Sequence, residues 1–289
     1  MDSNSYKDLI PTNWESILPL WFQEDIPSFD YGGYVVGTKP SIAHLYQKSA
    51  GVLAGVPFVN KIVQYTGCTI EWHSPEGTVQ LDNSRVHVAT VRGPANAILT
   101  AERIALNLIC RASGIATVSR QLATLGKKHG WSGRAAGTRK TTPGFRLVEK
   151  YAMLVGGVDC HRMDLSGMIM LKDNHIVSHG NITNAVKSAL SVGGFSVKVE
   201  VECQNEAEAV EAIDAGAHVV MLDNFKPEEA KVTAKNLKEH SKHTIVEVSG
   251  GITLENIVDY FSPNVDIIST STTSQSVPHI DFSMKLVRD

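Results

Sequence analysis

The sequence predicts an α/β protein in two parts, an α+β sandwich followed by an incomplete α/β barrel. The rhythm of the chain changes near residue 115, because strands and helices are segregated before it and alternate regularly after residue 130. Polar side chains also follow the ends of most candidate barrel strands. The 289 residues are enough for one barrel or for two unequal domains.

The first part combines short extended runs with two helical runs. Extended structure is expected at Gly33–Val36, Cys68–His73 and Arg85–Val91. Helices are expected at Pro57–Tyr65 and Pro94–Ala112, because apolar residues recur there at helical spacing and proline suits a first helical position. Strands kept apart from helices predict a sandwich.

The second part alternates strand and helix. The candidate strands are Gly133–Thr138, Met168–Leu171, Val197–Val201, His218–Leu222, Thr244–Val248 and Val265–Ser269. The helical segments lie near Phe145–Leu154, Ile182–Leu190, Glu206–Ala215, Pro227–Glu239 and Leu254–Tyr260. Short apolar strands with helices between them predict parallel pairing through right-handed crossovers. Six such strands indicate an incomplete barrel, since a closed one has eight.

Composition and charge exclude several classes of function. Hydrophobic residues make up 43% and charged residues 20%, which predicts a packed core and little disorder. The net charge of −3 gives no overall basic field, so no nucleic-acid partner is expected. No apolar run approaches the roughly 20 residues of a spanning helix, and the N-terminus lacks a secretory pattern, so no membrane partner is expected. The four cysteines lack CxxC spacing, which favours reduced thiols in a cytosolic protein.

Polar residues occupy the same place in successive strand–helix units. They are Thr138-Arg139-Lys140, Lys172-Asp173-Asn174, Glu202, Asp223-Asn224, Ser249-Gly250-Gly251 and Ser271. The C-terminal ends of barrel strands meet around one cleft, where barrel enzymes have their active sites. The shared position therefore predicts one site built from several strands.

Cations are concentrated between residues 134 and 175, where seven Lys or Arg accompany four Asp or Glu. Arg139, Arg162 and Lys172 fall at strand ends or turns, and His161 precedes Arg162. Arginine binds planar carboxylates through two parallel hydrogen bonds, and lysine supplies a point charge. This group suits a small substrate with more than one carboxylate. The alternative is a solvated face whose charges pair with nearby acidic residues.

An acidic pair, Glu202 and Asp223, follows two apolar strands. A carboxylate at such a strand end needs a cation or a metal to offset its desolvation. Mg²⁺ is one interpretation, hydrogen bonding to ribose hydroxyls is another, and a structural ion pair with a barrel lysine is a third. Glu200 points the same way along its strand as Glu202, so spacing alone does not choose between them.

The segment Ser249-Gly250-Gly251 comes after a strand and before a helix expected to start near Thr253. Glycines allow the backbone to approach a ligand, and amides at a helix start bind phosphate. Late barrel strands commonly carry such phosphate sites, although a simple turn explains the motif almost as well.

The residues also bear on two other chemistries. Lys140 or Lys172 could form a Schiff base, as in barrel aldolases. The histidines show no HExxH or comparable spacing, so they predict no metal centre of that kind.

Several long motifs resemble one family. They are AERIALNLICRASGIAT (101–117), GTRKTTPGFRLVEKYA (137–152), HRMDLSGMIMLKDNHI (161–176), VKVEVEC (197–203), MLDNF (221–225) and SGGI (249–252). Their order and content are similar to quinolinate phosphoribosyltransferase, also called nicotinate-nucleotide pyrophosphorylase (carboxylating). The resemblance covers nearly the whole chain.

The resemblance implies a reaction and an architecture. Quinolinate and 5-phosphoribosyl-1-pyrophosphate, with Mg²⁺, would give nicotinate mononucleotide, pyrophosphate and carbon dioxide in NAD biosynthesis. Residues 1–117 would form an α/β sandwich joined by the tail 276–289, and residues 118–275 an open, about seven-stranded TIM-like α/β barrel. It also implies a homodimer with shared active sites, with a hexamer as a larger assembly, in the cytoplasm and with the nucleus as a second compartment.

The resemblance further assigns roles to residues. Quinolinate binding falls to Arg103, Thr138, Arg139, His161, Arg162 and Lys172, with Arg103 supplied by a neighbouring subunit. Phosphate and pyrophosphate binding falls to Lys140, Ser249, Gly250, Gly251 and Ser271. Catalysis falls to Lys140, Lys172, Glu202 and Asp223, with Glu202 and Asp223 holding Mg²⁺ directly or through water.

The last strand departs from the family pattern. Ser271 stands at a position where many members have glycine, and Gln275 stands where some have histidine. A serine still presents its amide, but its side chain narrows the approach to a phosphate. The resemblance therefore supports Ser271 less strongly than Gly250.

Overall fold

A computed structural model describes residues 3–288, which divide into two compact units. The first contains the chain up to Arg120, the segment Thr142–Gly157 and the chain from Ser276 onwards. The second contains Gln121–Thr141 and Val158–Gln275. The sequence-based division placed residues 142–157 with the barrel. Their helix instead contacts the first unit, where Arg111 donates to Glu149 at 3.0 Å.

Strands and helices alternate more regularly after residue 128 than before it. Up to residue 128 they are α1 (Leu18–Asp25), α2 (Tyr31–Val36), β1 (Pro40–Gln47), β2 (Gly51–Val52), α3 (Val56–Tyr65), β3 (Thr69–Trp72), β4 (Val79–Gln80), β5 (Val86–Pro94) and α4 (Ala95–Lys128). Beyond it they are β6 (Arg134–Ala136), α5 (Arg146–Gly156), β7 (Ile169–Leu171), α6 (Asp173–His179), α7 (Ile182–Gly193), β8 (Val199–Cys203), α8 (Glu206–Asp214), β9 (Val219–Asp223), α9 (Pro227–His240), β10 (Ile245–Ser249), β11 (Ile267–Ser269) and β12 (Phe282–Leu286). None of the helices in residues 3–288 has both the length and the apolarity to cross a membrane.

The first unit is built on an antiparallel sheet in the order β12-β1-β5-β3. Alternate residues of β1, such as Ala43 and Leu45, are fully buried, as are Phe58 and Ile62 of α3. Burial of one face of a strand and one stripe of a helix is how such a layer forms a core. The tail strand β12 pairs with β1, so the chain's last strand completes this sheet.

Two sequence-based expectations for this unit were wrong. The run Gly33–Val36 is helical, because the Asp30 carboxylate accepts the Gly33 N–H at 2.8 Å and caps α2. Pro94 ends β5 rather than starting a helix, and α4 continues past Ala112 to Lys128. Strand β1 was not predicted at all.

The second unit contains a parallel sheet in the order β6-β11-β10-β9-β8-β7. Each strand lies within two residues of its predicted position, which confirms the predicted α/β class. Helix α6 was not predicted. The helix expected at Leu254–Tyr260 is reduced to a 3-10 helix at Ile257–Tyr260, preceded by a turn.

The parallel sheet curls. Asp159 bridges to Ala136 in β6, at one edge, while the Arg162 guanidinium donates to Met168 O at 3.3 Å beside β7, at the other edge. In a flat sheet Asp159, one strand beyond β6, would lie roughly 29 Å from β7, because six spacings of about 4.8 Å separate them. Three residues of extended chain span only about 10 Å. Curvature must supply the difference, and this is compatible with the incomplete barrel that the sequence predicts.

Candidate active site

A cavity of about 690 Å³ opens at the C-terminal ends of the parallel strands. It brings together the predicted site residues Thr138, Arg139, Lys140, His161, Arg162, Lys172, Glu202, Asp223, Ser249, Gly250, Gly251 and Ser271. Arg103 is the predicted residue that does not line it. Arg103 lies on α4, in the first unit, and its side chain is exposed.

Two guanidinium groups give the cavity its positive charge. Nε of Arg139 is buried and has no hydrogen-bond partner within the described chain. Burial lowers the pKa of Arg162, and the charge of Arg139 lowers it further. Two like charges that line one cavity, one of them with an unused buried donor, suit an anionic ligand that accepts several hydrogen bonds.

Lys172 and Glu202 form an ion pair at the cavity wall. Lys172 precedes α6, and its backbone N–H donates to Nδ1 of His175 at 3.1 Å, which fixes the start of that helix. Glu202 lies on β8 and its side chain is only 12% exposed. One interpretation of Glu202 from the sequence was an ion pair with a barrel lysine, and the structure has such a pair. The lysine, Lys172, is itself a predicted site residue.

Asp223 ends β9 and supplies the second carboxylate. Its Oδ2 accepts hydrogen bonds from Asn224 Nδ2 at 2.6 Å and from Gln204 Nε2 at 3.5 Å. Mg²⁺ prefers carboxylate oxygens and usually keeps several waters. Because Glu202 and Asp223 both line the cavity, this donor set fits a partly hydrated Mg²⁺.

The Ser249–Gly251 loop requires glycine at its centre. Gly250 has a φ of 100°, and a Cβ there would lie 2.3 Å from Asn224 Oδ1. Asn224 is itself left-handed at a φ of 60° and donates its N–H to Ser249 O at 2.9 Å. The helix expected to start near Thr253 is replaced by a turn. A phosphate at this wall would therefore meet loop amides rather than a helix N-terminus.

The last barrel strand and the Lys140 loop are joined by hydrogen bonds. Ser274 Oγ donates to Lys140 O at 2.8 Å, and the Lys140 N–H donates to Thr138 Oγ1 at 3.1 Å. Ser271 begins a short 3-10 helix, Ser271–Thr273, that Thr270 caps. Lys140 thus presents an exposed ammonium from a tethered backbone.

A buried polar cluster at the cavity floor was not predicted. His161 Nε2 lies 3.2 Å from Glu247 Oε2 on β10 and 3.9 Å from Glu200 Oε2 on β8. Among residues 3–288 these three form the one group of three or more His, Cys, Asp or Glu residues close enough to share a metal ion. A charged residue inside the apolar strand TIVEV was the signal that could have identified Glu247.

Glu200 and Glu202, which spacing left equivalent, have different environments. Glu202 lines the cavity, whereas Glu200 is fully buried and neither of its carboxylate oxygens has a hydrogen-bond partner in the described chain. Burial, and next the charge of Glu247, raise the pKa of Glu200 to about 9. Burial therefore favours the protonated form of Glu200, and Glu202 is the carboxylate that lines the cavity.

Comparison with known proteins agrees with this architecture. The C-terminal domain of quinolinate phosphoribosyl transferase matches residues 115–285, and its N-terminal domain matches residues 30–113. The chain belongs to the quinolinate phosphoribosyltransferase family. Together the two family domains span both units of the fold.

Individual members of the quinolinate phosphoribosyltransferase family are similar over nearly their full length. The carboxylating nicotinate-nucleotide pyrophosphorylase of Dictyostelium discoideum is 49% identical and covers 94% of this chain and 95% of its own. The Homo sapiens protein of that name is 48% identical, over 96% and 93%. The solved nicotinate-nucleotide pyrophosphorylase of Francisella tularensis superposes with a TM-score of 0.88 at 32% identity, over 96% and 98%.

Proposed function

We propose that this family member transfers the phosphoribosyl group of 5-phosphoribosyl-1-pyrophosphate to quinolinate and releases one carboxylate as carbon dioxide. The products are nicotinate mononucleotide and pyrophosphate, in the biosynthesis of NAD. The observation that carries this proposal is the Arg139–Arg162 pair, facing the same cavity as the Glu202–Asp223 pair and the Ser249–Gly251 loop.

The guanidinium pair supports quinolinate as the acceptor. Quinolinate carries two adjacent carboxylates, one for each guanidinium, and Lys172 and Thr138 line the same cavity. A substrate with one carboxylate would leave a partly buried cation without a counter-charge, which is costly. Arg103 would complete the clamp from a second subunit, because it lies outside the cavity-lining set.

A second set of cavity-lining groups suits the phosphoribosyl donor. The Ser249–Gly251 loop and Ser271 present backbone amides for the 5-phosphate, and Lys140 supplies a cation for the pyrophosphate. Glu202 and Asp223 would hold the ribose hydroxyls and Mg²⁺, directly or through water. When bound, Mg²⁺ would offset charge on the departing pyrophosphate.

The chemistry then uses the residues in place. The pyridine nitrogen forms a bond to ribose C1 as the bond from C1 to pyrophosphate breaks, and the clamped carboxylates direct that attack. Glu202 and Asp223 stabilise positive charge that develops on the ribose, and Lys140 stabilises the leaving pyrophosphate. The C2 carboxylate departs as carbon dioxide and leaves its electron pair on C2. The adjacent cationic ring nitrogen stabilises that pair, and Lys172 or water supplies the proton.

The proposal also includes an oligomeric state and a cellular compartment. A homodimer would allow the exposed Arg103 to reach a partner's cavity, and a hexamer of such dimers is compatible with this. Cys68, Cys110, Cys160 and Cys203 are all free thiols, which suits a reducing compartment such as the cytoplasm or the nucleus.

The deciding experiment follows release of the C2 carboxylate. Protein, phosphoribosyl pyrophosphate and Mg²⁺ are incubated with quinolinate labelled at that carboxylate, and carbon dioxide and nicotinate mononucleotide are measured together. We expect equal amounts of the two products. Turnover of nicotinate instead of quinolinate would overturn the assignment. Borohydride trapping of a substrate–lysine adduct would indicate a Schiff-base aldolase in its place.

A further inference from the structure

The His161–Glu247 contact has no part in the reaction as described so far. Glu247 is almost fully buried on β10, at 2% exposure, and His161 comes from a segment 86 residues earlier. A buried carboxylate is retained only where specific partners offset its desolvation. Here the partners are His161 Nε2, at 3.2 and 3.3 Å from the two carboxylate oxygens, and the Ser269 hydroxyl, which donates to Oε1 at 2.5 Å.

The second nitrogen of His161 is also engaged. Nδ1 accepts the backbone N–H of Arg162 at 2.8 Å. An imidazole nitrogen that accepts a hydrogen bond carries no proton, so the proton of neutral His161 is on Nε2 and is donated to Glu247. With both nitrogens occupied, His161 has no donor left for a substrate carboxylate in this arrangement.

The hydrogen bonds of His161 control an uncommon backbone conformation. His161 has a φ of 54°, in the left-handed region that residues other than glycine rarely adopt. Its N–H donates to Asp159 Oδ1 at 2.9 Å, which holds the turn from the preceding side. The next residue is Arg162, whose direction into the cavity depends on this turn.

We propose that Glu247 is a positioning residue for the quinolinate clamp: it holds His161, and His161 holds the turn that aims Arg162. This inference rests on the function proposed for the same cavity. Glu247 fixes the ring through Nε2, and the ring fixes the Arg162 backbone through Nδ1. His161 then acts as a link between β10 and the clamp, in contrast to the direct contact with a carboxylate that the family resemblance implies.

The test separates quinolinate binding from general stability. Glu247→Leu removes the acceptor, and we expect it to raise the KM for quinolinate about tenfold while the KM for phosphoribosyl pyrophosphate stays within about twofold. Glu247→Gln keeps an acceptor oxygen and should restore most of the loss. Glu211→Gln is the matched control, because the Glu211 carboxylate also joins two elements of this unit, through Thr183 at 2.8 Å, outside the cavity. It should leave both KM values unchanged.

A double-mutant cycle tests the route through His161. In the His161→Ala background, Glu247→Leu should change the quinolinate KM by less than about twofold, because the proposed route from Glu247 to Arg162 runs through that ring. Equal losses for both substrates, or full additivity with His161→Ala, would overturn the inference. So would a stoichiometric divalent cation in the wild type that Glu247→Leu loses.

A spectroscopic readout remains if Glu247→Leu does not fold. ¹⁵N NMR of the wild-type protein should show His161 protonated on Nε2 and unprotonated on Nδ1, and the reverse tautomer would overturn the inference. Wild-type turnover of quinolinate distinguishes failure of the proposed function from failure of the positioning role alone. If it is absent, the proposed function fails; if it is present and Glu247→Leu is kinetically normal, only the positioning role fails.

Discussion

Arg139 and Arg162 face the same cavity as two close like charges, so the pKa of Arg162 falls below its usual range through burial first and through Arg139 second. Holding two cations together costs free energy in the absence of a ligand, and a bound dianion removes that cost. The repulsion is therefore a source of selectivity, because a dicarboxylate relieves more of it than a monocarboxylate does.

The clamp predicts a selective defect for Arg162→Ala. Loss of a charge-assisted contact of about 1.5–3 kcal/mol should raise the KM for quinolinate roughly 10- to 100-fold. Steady-state kinetics with each substrate varied in turn measures this. Arg92→Ala, which removes an exposed arginine paired with Glu71 at 2.9 Å, is the control and should be normal. Near-normal quinolinate kinetics for Arg162→Ala would remove Arg162 from the clamp.

Sharing of the site between subunits predicts complementation. Arg103→Ala and Arg139→Ala should each be inactive alone, because each lacks one part of every clamp. Mixed subunits should regain activity, since a hybrid dimer has one site that carries both arginines. The measurement is turnover after exchange, with exchange itself followed by differently tagged subunits. Exchange without any recovery would count against a contribution of Arg103 from a partner.

The carboxylate pair predicts dependence on a divalent cation. Treatment with EDTA should abolish turnover, and Mg²⁺ should restore it, because Glu202 and Asp223 offer oxygen ligands of the kind Mg²⁺ prefers. Asp223→Asn should shift the Mg²⁺ concentration for half-maximal rate upwards. Gln204→Ala, which removes a neighbour donating to Asp223 Oδ2 at 3.5 Å, is a control and should shift it little. Full activity in EDTA would exclude the metal.

The sequence predicts the parallel sheet well and the short helices poorly. Apolar β-branched runs predict each barrel strand within two residues, because burial on both faces constrains composition directly. Helix α2 depends on one capping contact from Asp30, and α6 is only seven residues long, so neither has a periodic pattern to detect. Strand-end position predicts the cavity-lining residues other than His161 and Arg162, since barrel topology brings those ends together. His161 and Arg162 lie between α5 and β7, and their predicted role rests on the basic cluster and the family resemblance.

What the sequence does not predict is the pairing of distant side chains. Glu247 and His161 meet only because β10 and the segment after Asp159 converge in the folded unit. Spacing also leaves Glu200 and Glu202 equivalent, and only the depth of burial separates them. These are tertiary properties, and a local pattern does not contain them.

The two adjacent glycines of the Ser249–Gly251 loop should differ in how well they tolerate replacement by alanine. Gly250→Ala should reduce kcat/KM for phosphoribosyl pyrophosphate at least about tenfold, because its Cβ would meet Asn224 Oδ1 at 2.3 Å and its φ is 100°. Gly251→Ala should cost only about 1–2 kcal/mol of stability, since a Cβ there has open space and a φ of 63° is left-handed helical. Steady-state kinetics and thermal melts compare the two variants. Equal losses of kcat/KM in Gly250→Ala and Gly251→Ala would contradict the special requirement for glycine at position 250.

A buried carboxylate in the first unit predicts how stability depends on pH. Burial raises the pKa of Glu76 from 4.5 to about 7, although its oxygens accept the Gly55 and Val56 N–H groups at 2.8 and 2.9 Å. Between these two pH values the unfolded chain has released the proton and the folded chain has kept it. Its contribution to stability is therefore complete below pH 4.5 and is lost as pH rises through about 7.

Glu76→Gln isolates that contribution, because glutamine does not titrate. The free energy of unfolding of the wild type, relative to Glu76→Gln, should fall by on the order of 3 kcal/mol between pH 4.5 and 7 and then level off. Urea unfolding of both proteins across this range measures it. Glu71→Gln, an exposed carboxylate on β3, controls for loss of a surface charge and should track the wild type. If the Glu76→Gln curve is parallel to the wild-type curve, Glu76 is ionised in the folded protein, and the N–H donors of Gly55 and Val56 outweigh its desolvation.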